Sequence, residues 1–325
     1  MYVLGIDGGG TKTTGVIANL NGEIVAEATV GGSNINSIDR DVVIAELVKL
    51  LDALKVENNE AFLQIRRVFA GMAGGGTKSN KEDLRTIFTS LLASGVEVSV
   101  DHDAITALYS GTLGRPGIVQ IAGTGAITYG INFNNNQGRV GGWGHLFSDH
   151  GSGYAIGRDG LSAAFRAYDG LIEDTYIKEL LLHYFKKKEL PDIIQAIYQG
   201  ENPKGSIASL SKLVFEAADY GDKTAKEIIN ENGVHLGEAI STLIKKLFSV
   251  EQLTEAIPVV LAGGLFNRYD LFKDSIEKTI IDHKINVEFI IPEILPIGGA
   301  VIAALREEKL EISENFIEVF CRHIN

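Results

Sequence analysis

The 325-residue sequence holds one cysteine, Cys321, and one tryptophan, Trp143. A single thiol forbids an intramolecular disulfide, so a reducing compartment, the cytoplasm, is the expected setting. It also excludes a cysteine-ligated cluster or zinc knuckle built within one chain. Basic runs are short, the longest being Lys186-Lys187-Lys188, and the net charge is −12. Nucleic-acid binders normally present a basic face, so no nucleic-acid partner is expected. The lysine triplet reads instead as cations at the C-terminus of a helix beginning near Ile172. No apolar run is long enough to span a bilayer, and no membrane partner is expected. Met1 to Asp7 runs directly into a strand with no basic, then greasy, leader.

What is abundant is glycine, 37 of 325 residues, against a usual share of about 7%. The glycines cluster at Gly8–Gly10, Gly74–Gly76, Gly123/Gly125, Gly141–Gly144, Gly151/Gly153, Gly263–Gly264 and Gly298–Gly299. Most groups close an apolar run, where glycine lets backbone approach a ligand.

Apolar periodicity gives strands at Val3–Asp7, Thr13–Leu20 and Glu23–Val30. Asn21-Gly22 marks a hairpin between the last two. A helix follows over about Asp39–Leu54, with Val43, Leu47, Leu50, Leu51 and Leu54 on one stripe. Strands at Arg66–Ala70 and Val96–Val100 alternate with helices. The opening pattern then returns: strand Gly117–Ala122, turn Gly123-Thr124-Gly125, strand Ala126–Phe133, and a third strand from Arg139. This is a duplication of architecture. The chain next reads as mostly helical from Tyr154 to Val250, before strand–glycine units at Ile257–Gly264 and Val287–Gly299 and a helix from about Gly299 to Leu310. Two domains are expected, residues 1–114 and 115–325, with the break at the Gly114-Arg115-Pro116-Gly117 punctuation. The segment 312–324, with Phe316, Val319 and Phe320 at helical spacing, is expected to pack back on the first domain.

Glycine turns after strands suggest phosphate. Gly5–Thr13 and Gly71–Lys78 miss a Walker loop because threonine and lysine stand in reverse order. A dinucleotide fingerprint needs a helix where Thr13–Leu20 reads as strand. Two hairpins facing each other across a cleft fit better, each offering backbone N–H groups to a polyphosphate. The first turn is Asp7-Gly8-Gly9-Gly10-Thr11-Lys12 and the second Gly123-Thr124-Gly125. Thr11 and Thr124 add hydroxyls and Lys12 a charge. Asp7 is placed to hold Mg²⁺ through water. Either turn alone is equally a plain hairpin; the pair in duplicated positions favours the phosphate reading.

These features resemble the sugar kinase, Hsp70 and actin superfamily. Within it the chain resembles the N-acetylglucosamine kinase and BadF/BadG/BcrA/BcrD-type ATPases. The matching stretches are GIDGGGTKT (5–13), DHDAITAL (101–108), AGTGA (122–126), GGWGH (141–145), DHGSGY (149–154), LAGGL (261–265) and IGGA (297–300). The resemblance implies an α/β, two-domain actin-like ATPase fold, a duplicated ribonuclease H-like unit with an interdomain cleft. It implies ATP and Mg²⁺ as cofactors, a small sugar as substrate and a homodimer. Phosphoryl transfer to a hydroxyl of an amino sugar, the 6-hydroxyl of N-acetylglucosamine or glucosamine, is the expected reaction.

By the same resemblance Asp103 is the general base, with helix capping as its alternative. Asp101 competes for the role. Asn34, Gly142, Trp143 and Asp149 stand at sugar-contacting positions, and Gly263-Gly264 lie against adenosine. Trp143 as a packing anchor and Asp149 as a helix cap are the alternatives. The chain departs from the family pattern at His150, where glutamate is usual, at Ala126, where serine is common, and at Val140, where N-acetyl-selective relatives carry cysteine. Two other functions stand beside the kinase. A BadF-type electron-transfer ATPase needs more cysteine than Cys321 supplies. A non-catalytic sugar sensor is opposed by intact Asp7, Lys12 and Asp103.

Overall fold

The computed structural model describes residues 1–200, 202–249, 252, 255–308, 310 and 312–324. The chain divides into two compact units, Met1–Val119 with Ile290–Asn325, and Gln120–Phe289.

The first unit opens with β1 (Tyr2–Gly8), β2 (Lys12–Asn19) and β3 (Ile24–Gly31). Consecutive hairpins make β1–β2 and β2–β3 antiparallel. Gly22, with φ +88°, turns the second hairpin at the Asn21-Gly22 signal. Helix α1 (Arg40–Glu57) starts at Asp39, whose carboxylate accepts the Asp41 N–H. Its buried face is Val43, Leu47, Leu50, Leu51 and Leu54, the expected stripe. Helix α2 (Asn59–Leu63) leads to β4 (Ile65–Met72), α3 (Lys78–Leu91), β5 (Glu97–His102) and α4 (Ala104–Thr112). Strands β4 and β5 run parallel to β1, and the sheet order is β3-β2-β1-β4-β5.

From β6 (Gly117–Ala122) the chain passes into the second unit through β7 (Ala126–Ile131) and β8 (Gln137–Gly141). Among the described residues six helices follow: α5 (Gly153–Tyr168), α6 (Tyr176–Phe185), α7 (Asp192–Tyr198), α8 (Pro203–Ser209), α9 (Ser211–Asp219) and α10 (Lys223–Leu247). Lys186 caps α6 in the left-handed region, so the lysine triplet does sit at a helix C-terminus. The expected helical limit, Val250, lies outside the described residues. Strand β9 (Ile257–Ala262), α11 (Tyr269–Asp282) and β10 (Val287–Ile290) complete the unit. Its sheet order, β10-β9-β6-β7-β8, reproduces the first sheet strand for strand. The duplication read in the sequence is therefore one of topology.

The chain then returns to the first unit as α12 (Pro296–Glu307) and α13 (Glu314–Cys321). A single cut at 114/115 assigns all of 290–325 to the second domain; the contacts do not. Helix α12 lies against β1 and α4 because small residues allow it. A Cβ on Gly5 would meet the Val301 nitrogen at 2.5 Å, and one on Gly299 would meet the Thr106 carbonyl oxygen at 1.9 Å. Helix α13 buries Phe316 and Phe320, and the Phe316 carbonyl abuts Gly22.

Gly299→Ala tests this packing. The added methyl would stand on the α4 backbone at Thr106 and Ser110, so overpacking should cost about 3 kcal/mol. Urea unfolding followed by circular dichroism should show the loss; an unchanged midpoint would mean that α12 does not bear on α4.

Candidate functional site

In the first unit the parallel strands β1, β4 and β5 end together. Asp7 pairs in register with Gly71, and Gly71 with Asp101; Gly8, Met72 and His102 form the next row. Ligands of open α/β sheets bind outside such carboxyl ends. The first turn closes through the Gly9 N–H, which donates to the Lys12 carbonyl at 2.9 Å. Gly10, Thr11 and Lys12 are exposed. A Cβ at Gly10 would meet no atom within 4 Å, so the space beside the turn is open.

Asp7 is the most perturbed carboxyl here. Burial pushes it from 3.8 up to about 6, against the pull of a hydrogen bond from Thr106. The Asp103 charge raises it further and Lys12 draws it down. The Thr106 hydroxyl lies 2.8 Å from Asp7 Oδ1 and 2.6 Å from the Asp103 carbonyl oxygen. A carboxylate in this position, poorly hydrated and beside a like charge, gains from a cation. It suits a water-bridged Mg²⁺, which keeps most of its hydration shell.

Asp103 stands at the N-cap of α4 but makes no capping hydrogen bond with its side chain. Its Oδ1 is 2.6 Å from His102 Nδ1 instead. Asp101, the competitor, accepts the His102 backbone N–H and is ion-paired with Lys81. Asn34 turns its own loop, with Oδ1 accepting the Asn36 N–H at 3.0 Å and lying against Gly74. Asn80 fastens that loop to the turn after β4 through Asn36 Oδ1 and the Gly74 carbonyl. Asp7, Lys12, Asp103 and Asn34 thus belong to one unit. Asp7 and Asp103 are close enough to sense each other's charge.

In the second unit the turn Gly123-Thr124-Gly125 is held by Gly123 N–H on the Gly125 carbonyl at 2.9 Å. It rests on the start of α5, where Gly153 N–H donates to the Gly123 carbonyl at 2.8 Å. Ser152 caps α5, accepting the Ala155 N–H, and so takes the role that was Asp149's alternative. Asp149 has φ +66° and a buried side chain. Its Oδ2 lies 2.9 Å from where a Gly125 Cβ would stand, and Lys204 of α8 is 3.8 Å away. The Asn232 amide of α10 receives the Gly151 N–H and fixes the loop after Asp149. Gly263, φ +100°, packs on the Ala122 carbonyl beside the same turn, with Gly264 open. The adenosine and phosphate candidates of this unit are therefore neighbours.

Trp143 is 63% exposed, with the Arg139 guanidinium 3.7 Å above its ring. It anchors no core. Trp143, Gly141, Asp149, Ala126, Val140 and His150 border a cavity of about 310 Å³ closed on one side by α10. Ala126, Val140 and His150, the three positions at which the resemblance implied a departure, meet there. Thr106, His102, Lys204 and Asn232 escaped the sequence reading. Only Thr106 left a signal, three residues after Asp103 on a helix and hence on its face.

Comparison with known proteins matches the model of the BadF/BadG/BcrA/BcrD ATPase family over residues 4–304. The chain belongs to that family. It is 32% identical over 315 residues to the N-acetyl-D-glucosamine kinase of Dictyostelium discoideum, covering 94% of this chain and 98% of that protein. Identity is also 32% over 306 residues with the N-acetylmuramic acid/N-acetylglucosamine kinase of Clostridium acetobutylicum, at 94% and 99% coverage. A solved structure from Chromobacterium violaceum, described as a candidate N-acetylglucosamine kinase, superposes with TM-score 0.69 at 21% identity, covering 93% and 98% of the two chains. The fold is the two-domain actin-like ATPase fold. Among the described residues no helix is long and apolar enough to cross a membrane.

Asp7 gives a stability prediction. Its raised pKa favours the folded state below pH 3.8, and that contribution is lost as pH rises through about 6. A rise from 3.8 to about 6 corresponds to about 3 kcal/mol. Asp7→Asn should therefore stabilise the ligand-free protein at pH 8 by up to about 3 kcal/mol, the gain fading between pH 7 and pH 4. A gain independent of pH, or none, would contradict the burial of a charged Asp7.

Proposed function

We propose that the protein is an ATP-dependent amino-sugar kinase, transferring the γ-phosphoryl group to a hydroxyl, the 6-hydroxyl, of N-acetylglucosamine or a close relative. The observation that carries this is Asp103. It is a half-exposed carboxylate at the strand ends, not spent on helix capping, beside the charge-sensitive Asp7. A kinase needs such a base within reach of the acceptor hydroxyl. Two family relatives bearing sugar-kinase names at 32% identity over nearly their whole length support the same reading.

In this reading the backbone of Gly8–Thr11 and of Gly123–Gly125 cradles phosphate, and Thr11, Thr124 and Lys12 add donors. Gly263 and Gly264 leave room for adenosine. Asp7 holds Mg²⁺ through water, and the ion supplies charge neutralisation at the transferring phosphoryl. Asn34, Gly142, Trp143 and Asp149 bind the sugar. Asp103 takes the hydroxyl proton as the new oxygen–phosphorus bond forms and ADP leaves. In this scheme the base, the first turn and Asn34 come from residues 1–114. A cytoplasmic homodimer is the accompanying expectation.

The test is ADP release with MgATP across N-acetylglucosamine, glucosamine, N-acetylmuramic acid, N-acetylmannosamine and glucose. One sugar should stimulate turnover strongly. Asp103→Asn should lower that kcat by about 10²–10⁴ with little change in either KM. Equal turnover without sugar, or stimulation that survives Asp103→Asn, would move the protein to the ATPase or sensor class.

A further inference from the structure

We propose that Lys204 is a phosphate-binding residue of the second turn: its ammonium group stands beside the buried Asp149 carboxylate and donates to the phosphate held at Gly123-Thr124-Gly125. The inference rests on the reading of that turn as a phosphate cradle.

The turn has N–H groups left for an anion. Its Gly123 N–H is engaged by the Gly125 carbonyl, and the Gly123 and Thr124 carbonyls receive the Gly153 and Tyr154 N–H groups of α5. Among the described residues the Thr124 and Gly125 N–H groups donate to nothing. A Cβ at Gly123 would meet no atom within 4 Å, so that side of the turn is open. Successive N–H groups without partners form a concavity suited to phosphate oxygens.

One charge opposes this. A Cβ on Gly125 would stand 2.9 Å from Asp149 Oδ2, and the Asp149 side chain is only 4% exposed. A phosphate resting on Gly125 would face that carboxylate across little water, and the two negative charges would repel. A cation at the same place removes the conflict. Lys204 is that cation. Its Nζ lies 3.8 Å from Asp149 Oδ2, the one ion pair of Asp149 among the described residues. The separation is beyond the roughly 2.7–3.2 Å of an N–H···O hydrogen bond. The positive charge is therefore in place while the three N–H groups of the ammonium remain available to a ligand.

The packing of α8 brings Lys204 there. Lys204 is the second residue of the helix, which Asn202 caps by accepting the Gly205 N–H. A Cβ on Gly153 would stand 3.1 Å from the Ala208 carbonyl oxygen of α8 and 3.1 Å from the Gly123 carbonyl oxygen of the turn. One on Gly157 would meet the Ile207 carbonyl oxygen at 2.0 Å. The first residue of α5 thus sits between α8 and the turn and sets their spacing. The Lys204 side chain is 37% exposed, and its flexible four-carbon stem lets the head group shift toward an arriving phosphate.

A lysine that only neutralised Asp149 would show the same contact, and the experiment separates the two roles. Binding of the magnesium complex of AMPPNP, an ATP analogue that is not hydrolysed, is measured by calorimetry without sugar. The proteins are wild type, Lys204→Ala, Lys204→Arg, Asp149→Asn and the double variant Lys204→Ala with Asp149→Asn. Lys204→Ala should weaken Kd about 10-fold, the lower end expected for a lost hydrogen bond to a charged group. It should also flatten the dependence of Kd on ionic strength, while Lys204→Arg stays close to wild type. In the Asp149→Asn background the loss of Lys204 should still weaken binding several-fold, on the order of the same lost contact, because the contact is with phosphate. In turnover with N-acetylglucosamine, Lys204→Ala should raise the KM for MgATP and leave the sugar KM unchanged. An unchanged Kd in Lys204→Ala, an effect that vanishes once Asp149 is asparagine, or a loss confined to sugar KM would overturn the proposal. Failure of wild type to bind the analogue would remove the phosphate reading of the turn, and this proposal with it; wild-type binding beside an unaffected Lys204→Ala would remove Lys204 alone. Should the alanine variant not fold, Lys204→Gln, which keeps the stem and loses the charge, decides by the same comparison.

Discussion

The Thr106 hydroxyl stands 2.8 Å from Asp7 Oδ1 and 2.6 Å from the Asp103 carbonyl oxygen. It joins the end of β1 to the start of α4, and so the metal candidate to the base candidate. Everything around it is built to bring Thr106 close. Gly71 leaves room for its methyl, and Gly299 lets α12 lie on its carbonyl. A larger residue at either place would push α4 away and separate the two carboxylates. The glycines of IGGA and of β4 therefore act on the chemistry through packing, although neither touches a substrate in the proposed scheme.

Burying Asp7 has a cost, to which the Asp103 charge adds, and it appears as the elevated pKa of Asp7. Two like charges, one of them poorly hydrated, oppose folding at neutral pH. The rest of the unit offsets this with a continuous core under the sheet, from Leu4 and Ile6 to Leu84 and Phe88. In the proposed scheme a cation beside Asp7 relieves that cost. Binding energy is then available to order the site.

Much of this was legible. Alternating apolar runs and the Asn21-Gly22 signal placed β1, β2 and β3. The return of strand, glycine turn and strand at Gly117 announced the second sheet. The α1 stripe matched residue for residue. What failed was the domain cut, because Ile290–Asn325 belongs with the first unit through contacts far apart in sequence, such as Gly299 on Thr106. The linear reading expected only the segment 312–324 to return to the first domain, and left α12, some 180 residues after Gly114, with the second. At the site, glycine turns and isolated acids stood out. The groups that touch them did not: His102 lies in the DHDAITAL stretch with no role of its own, and Asn232 falls in the region read only as helical. Their roles come from distances that only folding creates.

The second unit keeps its candidate phosphate turn apart from its candidate sugar cavity. The turn Gly123-Thr124-Gly125 is fixed by backbone bonds to α5, and Gly263 packs on the backbone of β6. Neither depends on the side chains at positions 126, 140 or 150. Those three side chains instead border a separate cavity with Trp143, against α10. Substitution there alters what fits beside Asp149 and leaves the glycine turns as they are. Asp149 is the link between the two regions, since its carboxylate abuts Gly125 while its backbone, in the left-handed region, is held by Asn232 through Gly151. A change in α10 at Asn232 would thus reach both regions at once, whereas changes at His150 or Val140 would reach the cavity alone. That separation lets the cavity change its shape without disturbing the backbone bonds that hold the glycine turn.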